Sequence, residues 1–161
     1  MEEDRLKYSI DRFDHYFDSV NNKSAVYIAI NTFITGGIIA LITQTDTLNG
    51  YSNFDKYSLS GALFVGILNL IILAVISIPY VSNKPKSLYY FGSISKMKKI
   101  DFLKMSEDYS KKENLKDLRA QTFLLSRGLT AKFNKLKIVG LLLIAQFILL
   151  IPAILFLINK T

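Results

Sequence analysis

The chain has 161 residues, half of them apolar, with a mean hydropathy of +0.27 and a net charge of +7, which is more apolar than a water-soluble domain carries. With no cysteine and one histidine, His15, the sequence excludes disulfide frameworks, thiolate and zinc ligand sets, and Ser-His-Asp or Cys-His catalysis. There is no glycine-rich phosphate loop and no paired-carboxylate motif, so no enzyme, cofactor or metal site is expected.

Residues 1–23 carry ten charges and no apolar signal-peptide core, so the first apolar run is expected to be retained. Leu6, Ile10, Phe13, Phe17 and Val20 recur at helical spacing and predict an amphipathic helix over 3–21. The six acids against four bases of residues 1–23 favour packing on protein over seeking lipid. His15 falls off the apolar stripe and reads as a solvated residue.

Three uncharged apolar runs follow, 25–43, 58–81 and 138–158, each exceeding the roughly 18 residues that cross a bilayer. They predict three transmembrane helices. Thr35 and Gly36-Gly37 in the first run, and Ser58, Ala62 and Gly66 in the second, are small residues of the kind that let helices approach closely. In the third run Gly140 is small, and Pro152 is expected to kink the helix. Each run holds one amide, Asn31, Asn69 and Gln146, at a depth of roughly 12–18 Å. Such amides either bond between helices, for roughly 0.6–2 kcal/mol each, or line a polar path in an oligomer. Because one copy is not expected to enclose all that polarity, a homo-oligomer through spans one and two is expected.

Fourteen Lys and Arg lie between Lys84 and Lys137, and one, Lys56, lies between the first two runs. Since basic segments resist translocation, the N-terminus and 82–136 are expected in the cytoplasm, with 44–56 and the C-terminus outside. The 82–137 segment sets fourteen bases against five acids, a net of +9. That charge suits either an anionic leaflet, at roughly 1 kcal/mol per base, or an anionic nucleotide. Within it the sequence predicts a turn at 81–85, an aromatic run broken at Gly92, and a short helix after Asp101 with Phe102, Leu103 and Met105 buried. An N-cap at Asn114 with Asp117 three residues on then opens a long helix. Its stripe, Leu115, Leu118, Thr122, Leu125, Leu129, Phe133 and Leu136, leads straight into the third span. Helix and span together would make one rod of about 44 residues, roughly 65 Å long, with Gly128 its soft joint, able to carry a cytoplasmic event into the bilayer. The organisation is thus an all-α membrane protein in one integrated domain: an amphipathic helix (1–23), a transmembrane hairpin (24–81), a basic cytoplasmic module (82–136) and a last span with a short external tail (137–161).

Several short motifs resemble one family. Asn21-Asn22-Lys23-Ser24-Ala25 followed by Ile30-Asn31 is similar to the Asp-x-Lys-Ala and Ile-Asn that open the first span of transmembrane Pycsar effectors (the PycTM domain), with Asn21 in place of the aspartate. Phe91-Gly92-Ser93-Ile94 resembles that family's Phe-Gly-x-Ile, and Gln121, Leu125, Ser126, Lys132 and Phe133 match its Gln-x-x-x-Leu-Ser-x-x-x-x-x-Lys-Phe/Tyr pattern. The resemblance implies a bacterial anti-phage effector of the inner membrane. A pyrimidine nucleotide cyclase would make cyclic CMP or cyclic UMP, and the effector would oligomerise and impair the membrane. The chain leaves no room for a separate cyclic-nucleotide-binding fold, so a ligand is expected on the cytoplasmic helices or on a partner protein. The cations and donors flanking the family-like motifs, Lys98, Lys99, Arg119, Gln121, Arg127 and Lys132, are the expected ligand-binding set. The expected partners are therefore the lipid bilayer, further copies of the chain and a cyclic nucleotide, with no nucleic acid. The alternative is a membrane-anchored interaction protein whose basic module docks a cytoplasmic partner.

Overall fold

The computed structural model describes residues 1–44, 50–78 and 87–160. They form five helices and, among the described residues, no strand: α1 (Glu2–Thr43), α2 (Asn53–Ser77), α3 (Phe91–Ile94), α4 (Lys99–Glu107) and α5 (Lys111–Lys160). The all-helical expectation holds, and the differences lie at boundaries. The turn expected at 81–85 lies outside the described residues.

The amphipathic stretch and the first apolar run make a single helix, α1, because no proline interrupts them. Glu2, Glu3 and Asp4 sit in its first turn, against the positive end of the helix dipole. The second helix starts at Asn53, one turn before the apolar run, because Ser52 and Asp55 cap it reciprocally. Ser52 Oγ accepts from the Asp55 amide (3.2 Å) and the Ser52 amide donates to the Asp55 carboxylate (3.1 Å). The same device opens α5: Ser110 Oγ accepts from the Glu113 amide (3.3 Å) while Glu113 takes the Ser110 amide (3.0 Å). The cap expected at Asn114 is therefore made by Ser110. From there α5 runs through Gly128 and Pro152 to Lys160, which joins the long amphipathic helix to the third span as expected.

The helices assort into two compact units. One comprises Met1–Ser19 and the described part of 79–132, the other Val20–Ile78 with 133–160. In the first, called the basic unit, Leu6, Leu118 and Leu129 are buried and Ile10, Phe13 and Phe17 half-buried, as the stripes predict. One expectation fails there: Leu103 is exposed, since α4 turns only Phe102 and Met105 inward. In the second, called the apolar unit, Ile38, Tyr51, Leu59, Ala62, Leu150 and Ala153 form a core, closed by the tilted pair of Tyr51 and Phe156, whose ring centres lie 4.2 Å apart. Along the spans its outer surface is mostly hydrocarbon, with Phe33 83% exposed and Phe64, Ile71, Ile144 and Ile148 also uncovered, a surface suited to lipid and not to water. Phe133, expected on the α5 stripe, is exposed as well.

Candidate functional site

Inside the apolar unit the three amides form a closed circuit. Asn31 of α1 donates to the Gly66 carbonyl of α2 (2.8 Å), Asn69 of α2 to the Val139 carbonyl of α5 (3.3 Å), and Gln146 of α5 to Thr35 Oγ1 of α1 (3.3 Å). All three side chains are fully buried, at 0% exposure. Gly66 makes the circuit possible: a Cβ built on it would overlap both the Thr35 hydroxyl and the Gln146 amide. Ser58 adds a fourth bond, its hydroxyl donating to the Leu149 carbonyl.

Each amide spends its nitrogen and leaves its oxygen idle. Asn31 Oδ1, Asn69 Oδ1 and Gln146 Oε1 are buried and find no donor among the described residues. An acceptor stranded in an apolar core costs about 1–3 kcal/mol. Flipping an amide would not relieve this for Asn31 or Asn69, because the partner of each nitrogen is itself a carbonyl. One copy thus encloses all three amides, so their polarity does not in itself demand a second copy, contrary to expectation.

The basic unit is organised around Asp117, which the sequence presents only as a first-turn acid. It is 7% exposed, and its Oδ2 accepts from Ser87 Oγ (2.9 Å), the Leu88 amide (3.0 Å) and the Tyr109 hydroxyl (3.0 Å). Burial, followed by donation to Asp117, pushes the Tyr109 hydroxyl up to about 12. Asn114, freed from capping, accepts from the Tyr89 hydroxyl (2.6 Å) and donates to Glu3 (3.2 Å).

The six expected ligand groups have different fates. Arg119 forks onto Glu2, with Nε and Nη2 each 2.9 Å from a carboxylate oxygen, and this bond holds the Glu2 carboxyl below its usual range. Gln121 and Lys132 are buried, the Lys132 ammonium lying 5.9 Å from the Phe17 ring centre. Arg127 is exposed and lies 5.9 Å from the ring centre of exposed Phe123. Lys98 and Lys99 are exposed at the start of α4. Two concavities in this unit contain none of the six. One, of about 320 Å³, is lined by Asp101, Lys104, Met105, Asp108, Tyr109 and Glu113, and the other includes Glu2, Glu3 and Asp4.

Three helices long and apolar enough to cross a bilayer, packed through buried amides, define an all-helical membrane protein. The profile of the Pycsar effector protein domain, PycTM, matches residues 5–159, and the chain belongs to that family. None of the curated proteins and none of the solved structures matches it. Family membership gives the chain a role in a Pycsar anti-phage system, as the effector and not the cyclase, acting at a membrane in the context of a cyclic-nucleotide signal.

Proposed function

We propose that the chain is a non-enzymatic effector that, on a cyclic CMP or cyclic UMP signal from its partner cyclase, oligomerises in the bacterial inner membrane and impairs it. The observation that carries this reading is the circuit of Asn31, Asn69 and Gln146. Three buried amide oxygens without donors make the closed bundle pay for polarity that a hydrated state would satisfy. A conducting state would need more than three helices around a water-filled path, hence more copies.

A second feature supports assembly. Ala29, Thr32, Gly36 and Ala40 form an exposed stripe of small residues along α1, and a Cβ on Gly36 would meet nothing within 4 Å. Such a stripe is what lets another helix approach closely in lipid. On the ligand side, Arg119 and Arg127 are the exposed arginines of α5, and a phosphodiester reaching Arg119 would compete with Glu2 for the same fork. The direct test is membrane potential, read with a voltage-sensitive dye in cells carrying the chain and its cognate cyclase. Collapse on infection is expected, and a potential held steady throughout would reject the proposal in favour of a membrane anchor.

A further inference from the structure

The short helix α4 turns apolar side chains outward. Ile100 is 79% exposed and Leu103 49%, while Phe91 in α3 just before is 74% exposed. At about 100° per residue Ile100 and Leu103 lie about 60° apart on the helix wheel, with Lys99 and Lys104 on either side of them. Lys96 and Lys98 sit in the turn that leads into α4. All four lysines are exposed, and none is ion-paired among the described residues. The stretch 87–106 holds a single acid, Asp101, and Lys104 shares a concavity with Asp101, Asp108 and Glu113.

Apolar tips bracketed by long basic side chains are the composition of a helix lying in a headgroup layer. The tips enter the acyl boundary, and the lysine stems follow them while the ammonium groups reach anionic headgroups. A protein partner would also cover Ile100 and Leu103, but lysine is depleted from protein interfaces, where its strongly hydrated ammonium is costly to cover. A bilayer is moreover always at hand, since the same chain carries three helices able to span it, and a tethered surface binds usefully even when weak. We propose that α4 and its flank, Ile100 and Leu103 with Lys96, Lys98, Lys99 and Lys104, dock on an anionic lipid surface. This assigns Lys98 and Lys99 to lipid phosphates and leaves a nucleotide to other groups.

The absence of cysteine makes the test clean. A polarity-sensitive fluorophore is attached to the full chain at Ile100→Cys or Leu103→Cys, in nanodiscs of phosphatidylcholine alone or with phosphatidylglycerol. His15→Cys, whose helical neighbours Asp11, Asp18 and Ser19 are polar, is the control. The emission is expected to shift to the blue in phosphatidylglycerol at both α4 positions and not at the control. It should revert at about 1 M salt, where the Debye length falls to about 3 Å. Lys98→Gln with Lys99→Gln should lower the docked-to-free ratio about fivefold per base, the ratio equivalent to about 1 kcal/mol, with helix content unchanged by circular dichroism. Equal emission in the two lipids overturns the proposal. So does a shift that grows with protein concentration, which would give the face to a second copy, or one produced by cyclic CMP or cyclic UMP in detergent, which would give the lysines back to the nucleotide.

Discussion

Gln146 fills the room that Gly66 leaves vacant: any side chain at Gly66 would collide with the Gln146 amide and with the Thr35 hydroxyl. That relationship makes Gly66 a packing residue within one copy, at the point where α1, α2 and α5 meet. Gly36, on the same unit, has open space where its Cβ would stand. The two glycines look alike in sequence, yet one closes a bundle and the other lies on its outer surface.

Leucine at the two positions should therefore separate folding from assembly. Gly66→Leu overfills the bundle, at a cost of about 1–3 kcal/mol, and should lower the apparent Tm of the detergent-purified protein. Gly36→Leu should leave Tm unchanged and reduce chemical cross-linking between copies in activated cells. Normal cross-linking of Gly36→Leu would remove the α1 stripe from the assembly face.

Orientation is the next expectation. Fourteen bases between Lys84 and Lys137, against Lys56 alone between the first two runs, predict that the basic segment faces the cytoplasm. In this cysteine-free chain, Lys56→Cys should react with an impermeant maleimide in intact spheroplasts, and Lys112→Cys only after permeabilisation. The reverse pattern would invert the topology.

The Asp117 hub predicts an alkaline limit. The Tyr109 hydroxyl is raised from 10.0 to about 12, so the folded state holds its proton more tightly than the unfolded chain does. Its contribution is fully present below about pH 10 and is lost as pH rises through about 12. Ultraviolet titration should show a phenol ionising in that upper window, absent from Tyr109→Phe. That variant should also lose about 1 kcal/mol, because Asp117 gives up one of its three donors.

The three spans and the long α5 were legible in the sequence because apolar content and helical period are local signals, and the 138–158 run leads straight out of the Leu118 to Leu136 stripe. The sequence points to Asn114 as the cap of α5 and the fold uses Ser110, because both residues offer a capping side chain and only the folded contacts to Tyr89 and Glu3 tell them apart. Asp117 was missed as a hub for the same reason: its donors Ser87, Leu88 and Tyr109 are scattered along the chain. That Asn31, Asn69 and Gln146 each fall inside an apolar run could be read by counting residues. Which helix each one would bond to could not, since that depends on how the helices rotate as they pack.

The Arg119 to Glu2 fork makes two linked predictions. The Glu2 carboxyl lies below its ordinary 4.5, so the pair is intact at neutral pH and its stabilisation is lost as pH falls through that lowered value. Glu2→Gln leaves Arg119 free for an anion and should strengthen binding of cyclic CMP or cyclic UMP to the purified protein, read by calorimetry. Arg119→Ala with Arg127→Ala should weaken it by about 1.5–3 kcal/mol for each charge-assisted bond removed. Unchanged binding in the double variant would take both arginines out of the ligand site.

The decisive residue for membrane damage is Gln146. Leucine there removes one bond, to Thr35, together with a buried oxygen that has no donor. Deleting a polar group that is only half satisfied is close to neutral for stability, so Gln146→Leu should insert and fold like the parent, with Tm unchanged or raised. Opening is different, because a hydrated state gains from every amide it exposes and a leucine in its place opposes water. Shifting an assembly from about 1% to 99% open takes roughly 5.5 kcal/mol, so a penalty of 1–2 kcal/mol in each of several copies is enough to hold it shut. Cells carrying Gln146→Leu with the cognate cyclase should therefore keep their membrane potential during infection while parent cells lose it. Equal depolarisation in the two strains would show that the amide circuit serves packing alone and that the membrane is impaired by another route.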